Sequence, residues 1–152
     1  MRIAGIDPGK SGGIVVLDLQ TKGIEYLGPL PYIGGDVAVH ELQDILASCG
    51  SSVTDCFIER VHAMPNQGVV SMFTFGKGFG RLTATAELAC NAVLLVRPQD
   101  WKKQAGLSGK KKEAAVELFL QEQPQYKGEF NKATLSGIAD AYFIAKYGAN
   151  SY

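Results

Sequence analysis

The chain has 152 residues, of which 46% are hydrophobic and 20% charged, and these shares are typical of a globular protein with one sizeable core. No apolar run approaches the ~20 residues of a membrane-spanning helix, so we expect no membrane association. The 15 basic and 15 acidic residues balance, so net charge alone gives no sign of a nucleic-acid partner.

The charge is distributed unevenly along the chain. Residues 77–112 contain eight basic and two acidic side chains, whereas residues 1–76 contain four basic and eight acidic ones. This basic central third is compatible with a local anion-binding face. A solvated surface is the ordinary explanation of lysines, so composition leaves both alternatives open.

The three cysteines, Cys49, Cys56 and Cys90, are scattered and lack the CxxC spacing of a zinc site. Their odd number does not suit a disulfide framework, so we expect free thiols in a reducing compartment. The N-terminus has no basic region followed by an apolar core, so we expect no secretory signal and a cytoplasmic location. The length predicts one domain over residues 1–152.

The first predicted element is a pair of strands within residues 2–18, joined by a glycine-rich turn. Asp7 stands at the end of the first strand, and Pro8-Gly9 begins the turn. A carboxylate at this point can reach a ligand without its own backbone blocking the approach. Alternatively, Asp7 only caps the turn, as aspartate often does.

Residues 23–27 predict a third strand, which would complete an antiparallel meander. Residues 28–35 contain two prolines and three glycines and predict a loop. Asp36 is placed to cap a following helix, whose apolar residues recur at helical spacing as far as Leu46. Residues 49–52 predict the end of that helix.

A second acid follows the next predicted strand, at residues 53–59. Its continuous apolar run is typical of a strand buried on both faces, and it ends at Glu59. The preceding helix predicts a right-handed crossover to a parallel position beside the first strand. Asp7 and Glu59 would then lie at the same edge of the sheet, where open α/β sheets bind ligands. Two neighbouring carboxylates would repel each other unless a cation lay between them.

Residues 69–89 predict a long helix after a loop in which His62 is either a ligand or, more simply, a solvated side chain. Gly76, Gly78 and Gly80 each cost this helix about 1 kcal/mol relative to alanine, which indicates close approach of another helix or a ligand. The interleaved aromatic residues, Phe73 and Phe75, could stack on nucleic acid or pack in the core.

The last third of the chain predicts one more buried strand at residues 91–96 and three helices. The helices start near Pro98, near a run of three lysines at 110–112, and near Ala133. Lysines at a helix N-terminus oppose the helix dipole, which indicates an anionic partner or a solvated cluster. Asp140 stands among small and apolar residues of the last helix, so we expect it to join Asp7 and Glu59.

Two nucleotide-binding alternatives are weaker. The sequence from Asp7 to residue 13 is similar to the first phosphate loop of actin-like ATPases and sugar kinases, but those need two lobes and this chain is long enough for one. Gly9-Lys10-Ser11 is similar to a P-loop, which requires a glycine five positions before Gly9. That position is Ala4, so the P-loop is rejected.

Three motifs in order along the chain resemble the RuvC-type Holliday junction resolvases of the RNase H-like superfamily. They are Asp7-Pro8-Gly9 after the first strand, Glu59 after a buried strand, and Ala139-Asp140-Ala141 in the last helix. Residues 57–65, 75–80, 98–102 and 138–145 are most similar to the short bacterial, phage and chloroplast branch. The likeness extends along nearly the whole chain.

The resemblance implies an α/β fold with a mixed five-stranded sheet, in which a three-strand antiparallel meander joins parallel strands, flanked by helices. It implies that Asp7, Glu59 and Asp140 are the catalytic acids and bind two Mg²⁺ ions, for which Mn²⁺ would substitute. The implied activity is symmetric nicking of four-way DNA junctions by a homodimer, in DNA recombination and repair. The helix at 69–89 is the candidate dimer interface.

The basic central third then supplies the candidate contacts to DNA. Such contacts position the phosphate backbone without reading its sequence. The candidate DNA-binding residues are Lys10, Phe73, Phe75, Lys77, Arg81, Lys102, Lys103, Lys110, Lys111 and Lys112.

One position departs from the family pattern. The family has a fourth acid a few residues before the last one, but residues 134–139 contain no carboxylate. Ser136 through its hydroxyl, or Glu129 from the preceding connection, are the candidate replacements. The alternative hypothesis is a non-catalytic protein that binds junctions on the same fold.

Overall fold

A computed structural model describes residues 1–48 and 54–152 of the chain. The strands are β1 (Arg2–Asp7), β2 (Gly13–Asp18), β3 (Ile24–Pro29), β4 (Tyr32–Ile33), β5 (Asp36–Val37), β6 (Thr54–Glu59) and β7 (Val93–Val96). The helices are α1 (Val39–Ser48), α2 (Val69–Ala89), α3 (Pro98–Gln104), α4 (Glu113–Glu122) and α5 (Lys132–Ala149).

The main sheet has five strands in the order β3-β2-β1-β6-β7. β1, β2 and β3 pair in antiparallel fashion, while β1, β6 and β7 are parallel neighbours. The predicted mixed sheet, with a meander leading into parallel strands, is therefore confirmed. So is the parallel pairing of the two strands that carry Asp7 and Glu59.

Helices cover both faces of the sheet. Alternate residues of β1 point to opposite sides, so each face of the strand packs against different helices. Ala4 and Ile6 pack with α1 and α2, whereas Ile3 packs with the apolar residues of α5. α5 is the most deeply buried helix, and its N-terminus is capped by Asn131, whose side chain accepts a hydrogen bond from the Thr134 N–H at 2.9 Å.

Glycines allow α5 to lie directly on the central strands. A side chain at Gly5 of β1 would come within 2.8 Å of Ala145 Cα in α5. A side chain at Gly13 of β2 would come within 2.6 Å of the Gly137 carbonyl. These contacts are backbone against backbone, so the position of α5 over β1 and β2 is fixed closely.

Three predictions from the sequence are wrong in detail. Residues 28–35 are not all loop, because β4 begins there and pairs with β5. Asp36 lies in β5 and does not cap α1, which begins at Val39. The helix predicted to begin with the lysines at 110–112 begins at Glu113, with Lys112 as its N-cap residue, so these lysines precede α4 but still lie at the positive end of its dipole.

The last strand also differs from its prediction. β7 is the edge of the sheet, and Leu94 and Leu95 are 41% and 47% exposed instead of buried. The predicted end of α1 at residues 49–52 lies outside the described residues.

Candidate active site

Two acids meet at one edge of the sheet because they end neighbouring parallel strands. Ile6 pairs with Ile58 in the register of β1 and β6, so the next residues, Asp7 and Glu59, lie side by side. The turn after Asp7 passes through Gly9 at a φ of 117°, a conformation that favours glycine. The two acids thus lie at the same edge of the sheet, as the sequence predicted.

The third acid comes from α5. Contact of Gly5 with the backbone of α5 at Ala141 and Ala145 holds this helix over β1, with Asp140 next to the first of those alanines. The negative charge of Asp140 raises the pKa of Asp7, and that of Glu59 raises the pKa of both aspartates. The three predicted carboxylates are therefore close enough to act on one another electrostatically.

Burial is the largest cause of the raised pKa values in this group. It raises the pKa of Asp7 to about 8, with further contributions from Asp140 and then Glu59. It raises the pKa of Asp140 to about 6, and it also raises the pKa of Glu59. Each carboxylate is thus costly to ionise alone, and a cation placed among the three would remove that cost.

One hydrogen bond to this group was not predicted from the sequence. The indole N–H of Trp101, in α3, donates to Glu59 Oε2 at 2.8 Å. The Trp101 side chain is 1% exposed and packs in the core beside α5, so its ring is fixed. This bond opposes the effect of burial on the pKa of Glu59. Trp101 therefore positions one of the three carboxylates.

Solved structures of RuvC and of a viral Holliday junction resolvase have the same architecture. Thermus thermophilus RuvC matches with a TM-score of 0.67 at 18% identity, covering 99% of this chain and 96% of that one. T. thermophilus RuvC in complex with a Holliday junction substrate matches at 0.62 and 16% identity, with the same coverage. The fowlpox virus Holliday junction resolvase matches at 0.56 and 16% identity over 100% of both chains. The chain has the RuvC-type, RNase H-like fold. No protein-family model and no curated protein matches it.

Two lysines accompany the acids in this RuvC-type fold. The positive charges of Lys102 and Lys112 lower the pKa of Asp7 and of Asp140, in opposition to burial. Lys102 also acts on Glu59, and its ammonium lies 5.3 Å from the centroid of the Trp101 ring. These two members of the predicted DNA-binding set lie beside the candidate active site.

Two other residues predicted to contact DNA bind to groups of their own protomer. Lys77 forms an ion pair of 2.8 Å with Asp36, and the Arg81 guanidinium donates to the Val37 carbonyl at 3.0 Å. Both interactions fasten α2 to β5. A DNA contact by Lys77 or Arg81 stays a prediction, and it would compete with these bonds.

The remaining predicted DNA contacts are exposed. Phe73 is 72% exposed on α2, and Phe75 is 41% exposed next to the turn at Gly9. The exposed basic residues of this group are Lys10, Lys103, Lys110 and Lys111.

A backbone contact fills the space beside Gly137, one of the positions a few residues before Asp140. Gly137 lies one helical turn before Asp140, and a side chain there would come within 2.7 Å of the Gly12 carbonyl carbon and would also collide with the Ser11 carbonyl. This close packing excludes a carboxylate at Gly137 itself. Of the candidate replacements, Ser136 is half-buried in a groove beside Lys112, and Glu129 is exposed.

The chemistry of the three acids suits a hard divalent cation, because carboxylate oxygens are the ligands that Mg²⁺ prefers. The cost of ionising them without a cation, described above, supports that match. Within residues 1–48 and 54–152, however, no three His, Cys, Asp or Glu side chains are grouped tightly enough to form a ready ligand set. The carboxylate oxygens are therefore the right kind of donor for a metal, but the three side chains would have to move closer together when a metal binds.

In the described part of the chain, no helix is both long and apolar enough to cross a membrane.

Proposed function

We propose that this chain is a structure-selective endonuclease that resolves four-way DNA junctions by Mg²⁺-dependent phosphodiester hydrolysis, in DNA recombination and repair. One observation carries the proposal. Three carboxylates from β1, β6 and α5 converge at one edge of a sheet whose fold is that of known junction resolvases. A neighbour of the same fold is in complex with a Holliday junction substrate.

Asp7, Glu59 and Asp140 would hold the divalent cations, with Mn²⁺ able to replace Mg²⁺. The cations would supply activation of the attacking water and neutralisation of charge on the leaving 3′ oxygen. The bond from Trp101 holds the Glu59 carboxylate in one orientation. Lys102 and Lys112, which act electrostatically on Asp7 and Asp140, would hold the phosphate that is cut.

The proposed enzyme acts as a homodimer whose interface is α2. One face of this helix is exposed and carries Phe73, Gly76, Gly80 and Leu88, of which the phenylalanine and leucine are 72% and 83% exposed. Side chains at Gly76 and Gly80 would meet nothing within 4 Å in residues 1–48 and 54–152. A second copy of α2 packed on this face would explain both its glycines and its exposed apolar residues.

A second candidate function is junction binding without cleavage. The observation that favours it is the absence of a carboxylate from residues 134–139, among which Gly137 has no room for any side chain. The two functions share the fold and the DNA surface, and they differ only in whether three acids suffice for hydrolysis.

A cleavage assay on a synthetic four-way junction separates the two functions. With Mg²⁺ or Mn²⁺, the enzyme is expected to make symmetric nicks in two opposite strands, and Asp7→Asn, Glu59→Gln and Asp140→Asn are each expected to abolish them. Asp44→Asn, on the exposed face of α1, is the matched control and should cut normally. Tight binding of the junction without nicks would favour the second function.

A further inference from the structure

A cavity of about 330 Å³ lies between the turn after β1 and the first half of α2. Its inner walls are formed by Tyr32, Val37, Phe75 and Phe79, with Pro8 and Gly9 closing the side towards the acids. We call this space the α2 cavity. Its volume is at the lower end of the range for small-ligand sites, about 300–1,000 Å³, so it suits one small, flat group.

The α2 cavity combines flat apolar walls with a polar rim. Two phenylalanine rings and one tyrosine ring face it, and the rim carries the hydroxyls of Ser71 and Thr74 and the side chain of Lys10. Aromatic walls stack on planar ring systems, while hydroxyl and ammonium groups can bond to polar edges and to phosphate. This is the chemistry that holds a nucleobase attached to its backbone.

The cavity borders the candidate active site on two sides. Pro8 directly follows Asp7, and the negative charge of Asp7 reaches Tyr32, where it helps to raise the pKa of the phenol. Phe75 also lines a second open space together with Glu59 and Ser71. The Phe75 ring therefore stands between the α2 cavity and the space in front of Glu59. A DNA strand lying on the carboxylates would pass its bases across this ring.

We propose that the α2 cavity receives one unstacked nucleobase of the strand whose phosphate lies on Asp7, Glu59 and Asp140. This inference rests on the proposed function, and it adds a base-binding subsite to it. Extrusion of a base costs least where stacking is already disturbed, as it is at the exchange point of a junction. Stacking against Phe75 and its aromatic neighbours would offset the remaining cost. The hydroxyls of Ser71 and Thr74 would then contact the edge of that base.

The test measures junction binding after two kinds of change: a larger side chain that fills the cavity, and the removal of single bases from the DNA. Four-way junctions are made in which one nucleotide at a time, within about two positions of the exchange point, lacks its base. Kd is measured for the full chain carrying Asp7→Asn, which blocks cleavage, with and without Gly78→Leu. A side chain at Gly78 points towards Val37 Cγ2, 3.9 Å from its Cβ, so it enters the cavity without a backbone collision.

Two further variants keep the test decisive. Thr74→Leu fills the cavity from its rim. If Gly78→Leu lowers the thermal unfolding midpoint, the Kd measurements are repeated with Thr74→Leu in its place. Ala47→Leu adds the same side chain to the exposed face of α1 and is the matched control.

The filled variants are expected to bind the intact junction about tenfold more weakly, which is within the range for loss of one base stacked on aromatic side chains. That difference should disappear on the junction that lacks the base at one particular position, and Ala47→Leu should bind like the parent. Equal Kd values for filled and parent proteins on every junction would overturn the proposal, as would the same loss on all of them. If the parent does not prefer junctions to duplex DNA, the proposed function fails first, and this subsite fails with it.

Discussion

At the scale of single residues, Trp101 determines how Glu59 is presented. Its indole N–H donates to the carboxylate at 2.8 Å from a buried, fixed ring. Trp101→Phe keeps an aromatic ring and removes the donor, so we expect roughly a tenfold loss of Mn²⁺ affinity and of kcat, the usual effect of losing a bond to a metal ligand. KM for junction DNA should be unchanged.

Calorimetric titration with Mn²⁺ and single-turnover cleavage measure these effects. Tyr142→Phe is the matched control, because it removes an aromatic donor to a different carboxylate, Glu122, bonded at 2.7 Å. Unchanged Mn²⁺ affinity in Trp101→Phe would show that the indole is only a packing residue.

The charge of Asp7 makes the metal-free protein sensitive to pH. Its pKa rises from 3.8 in the unfolded chain to about 8 in the folded one, so the folded state binds the proton more tightly. The free energy of unfolding should therefore fall as pH rises from about 4 to 8. Asp7→Asn should relieve this loss by up to about 6 kcal/mol at pH 8, since the two pKa values differ by about 4 units and each unit corresponds to about 1.4 kcal/mol.

Urea unfolding in EDTA at pH 5.5 and pH 8.5 checks this expectation. The advantage of Asp7→Asn should grow with pH, whereas Asp44→Asn on exposed α1 should show no such trend. A constant difference between the wild type and Asp7→Asn at both pH values would mean that Asp7 ionises normally.

The three candidate acids could be predicted from the sequence, but the hydrogen-bond donor to Glu59 could not. Asp7 and Glu59 each close an apolar strand, and Asp140 stands among small residues, so local pattern singled them out. Trp101 lies 42 residues from Glu59, and nothing in its neighbourhood indicates that its N–H faces a carboxylate.

At the scale of elements, α2 has an exposed face on which side chains at Gly76 and Gly80 would meet nothing within 4 Å among the described residues. Gly80→Leu on that face should convert the proposed dimer to a monomer, because a branched side chain prevents close approach of two helices. The same change should stabilise the monomer by about 1 kcal/mol, since glycine is a poor helix former.

Sedimentation at micromolar concentration and urea unfolding measure the two effects together, with Ala47→Leu as the control. A wild-type chain that sediments only as a monomer would contradict the α2 interface.

The contact between α5 and the turn before β2 predicts that an acid cannot be placed at Gly137. Gly137→Asp forces a side chain into the backbone of Ser11 and Gly12, so we expect a loss of more than about 3 kcal/mol in the free energy of unfolding. Ser136→Asp, at the half-buried neighbouring position, should be tolerated. Thermal denaturation distinguishes them. A stable Gly137→Asp with raised Mn²⁺ affinity would contradict the steric explanation.

The ends of a long helix could be predicted from the spacing of its apolar residues. The predicted range of α2, 69–89, is the observed one. The two-residue strands β4 and β5 are too short to show a period, so they were predicted as loop and as part of a helix. The exposure of Leu94 and Leu95 depends on β7 being an edge strand, which its apolar sequence does not reveal.

At the scale of the whole molecule, folding places two pairs of basic residues from the central third in different surroundings. Lys77 and Arg81 fasten α2 to β5, whereas Lys102 and Lys112 lie near the acids. Sequence alone predicted the cluster of bases without this division. The meander and the parallel pairing of β1 with β6 could be predicted, because consecutive strands and short connections leave few other arrangements.

The central claim is that Asp7, Glu59 and Asp140 form one cation site. Calorimetric titration with Mn²⁺ of the wild type, Asp7→Asn, Glu59→Gln and Asp140→Asn tests it most directly. We expect binding by the wild type and roughly a tenfold or greater loss of affinity in every one of the three variants. Binding that survives unchanged in Asp140→Asn, or no Mn²⁺ binding by the wild type, would contradict the claim.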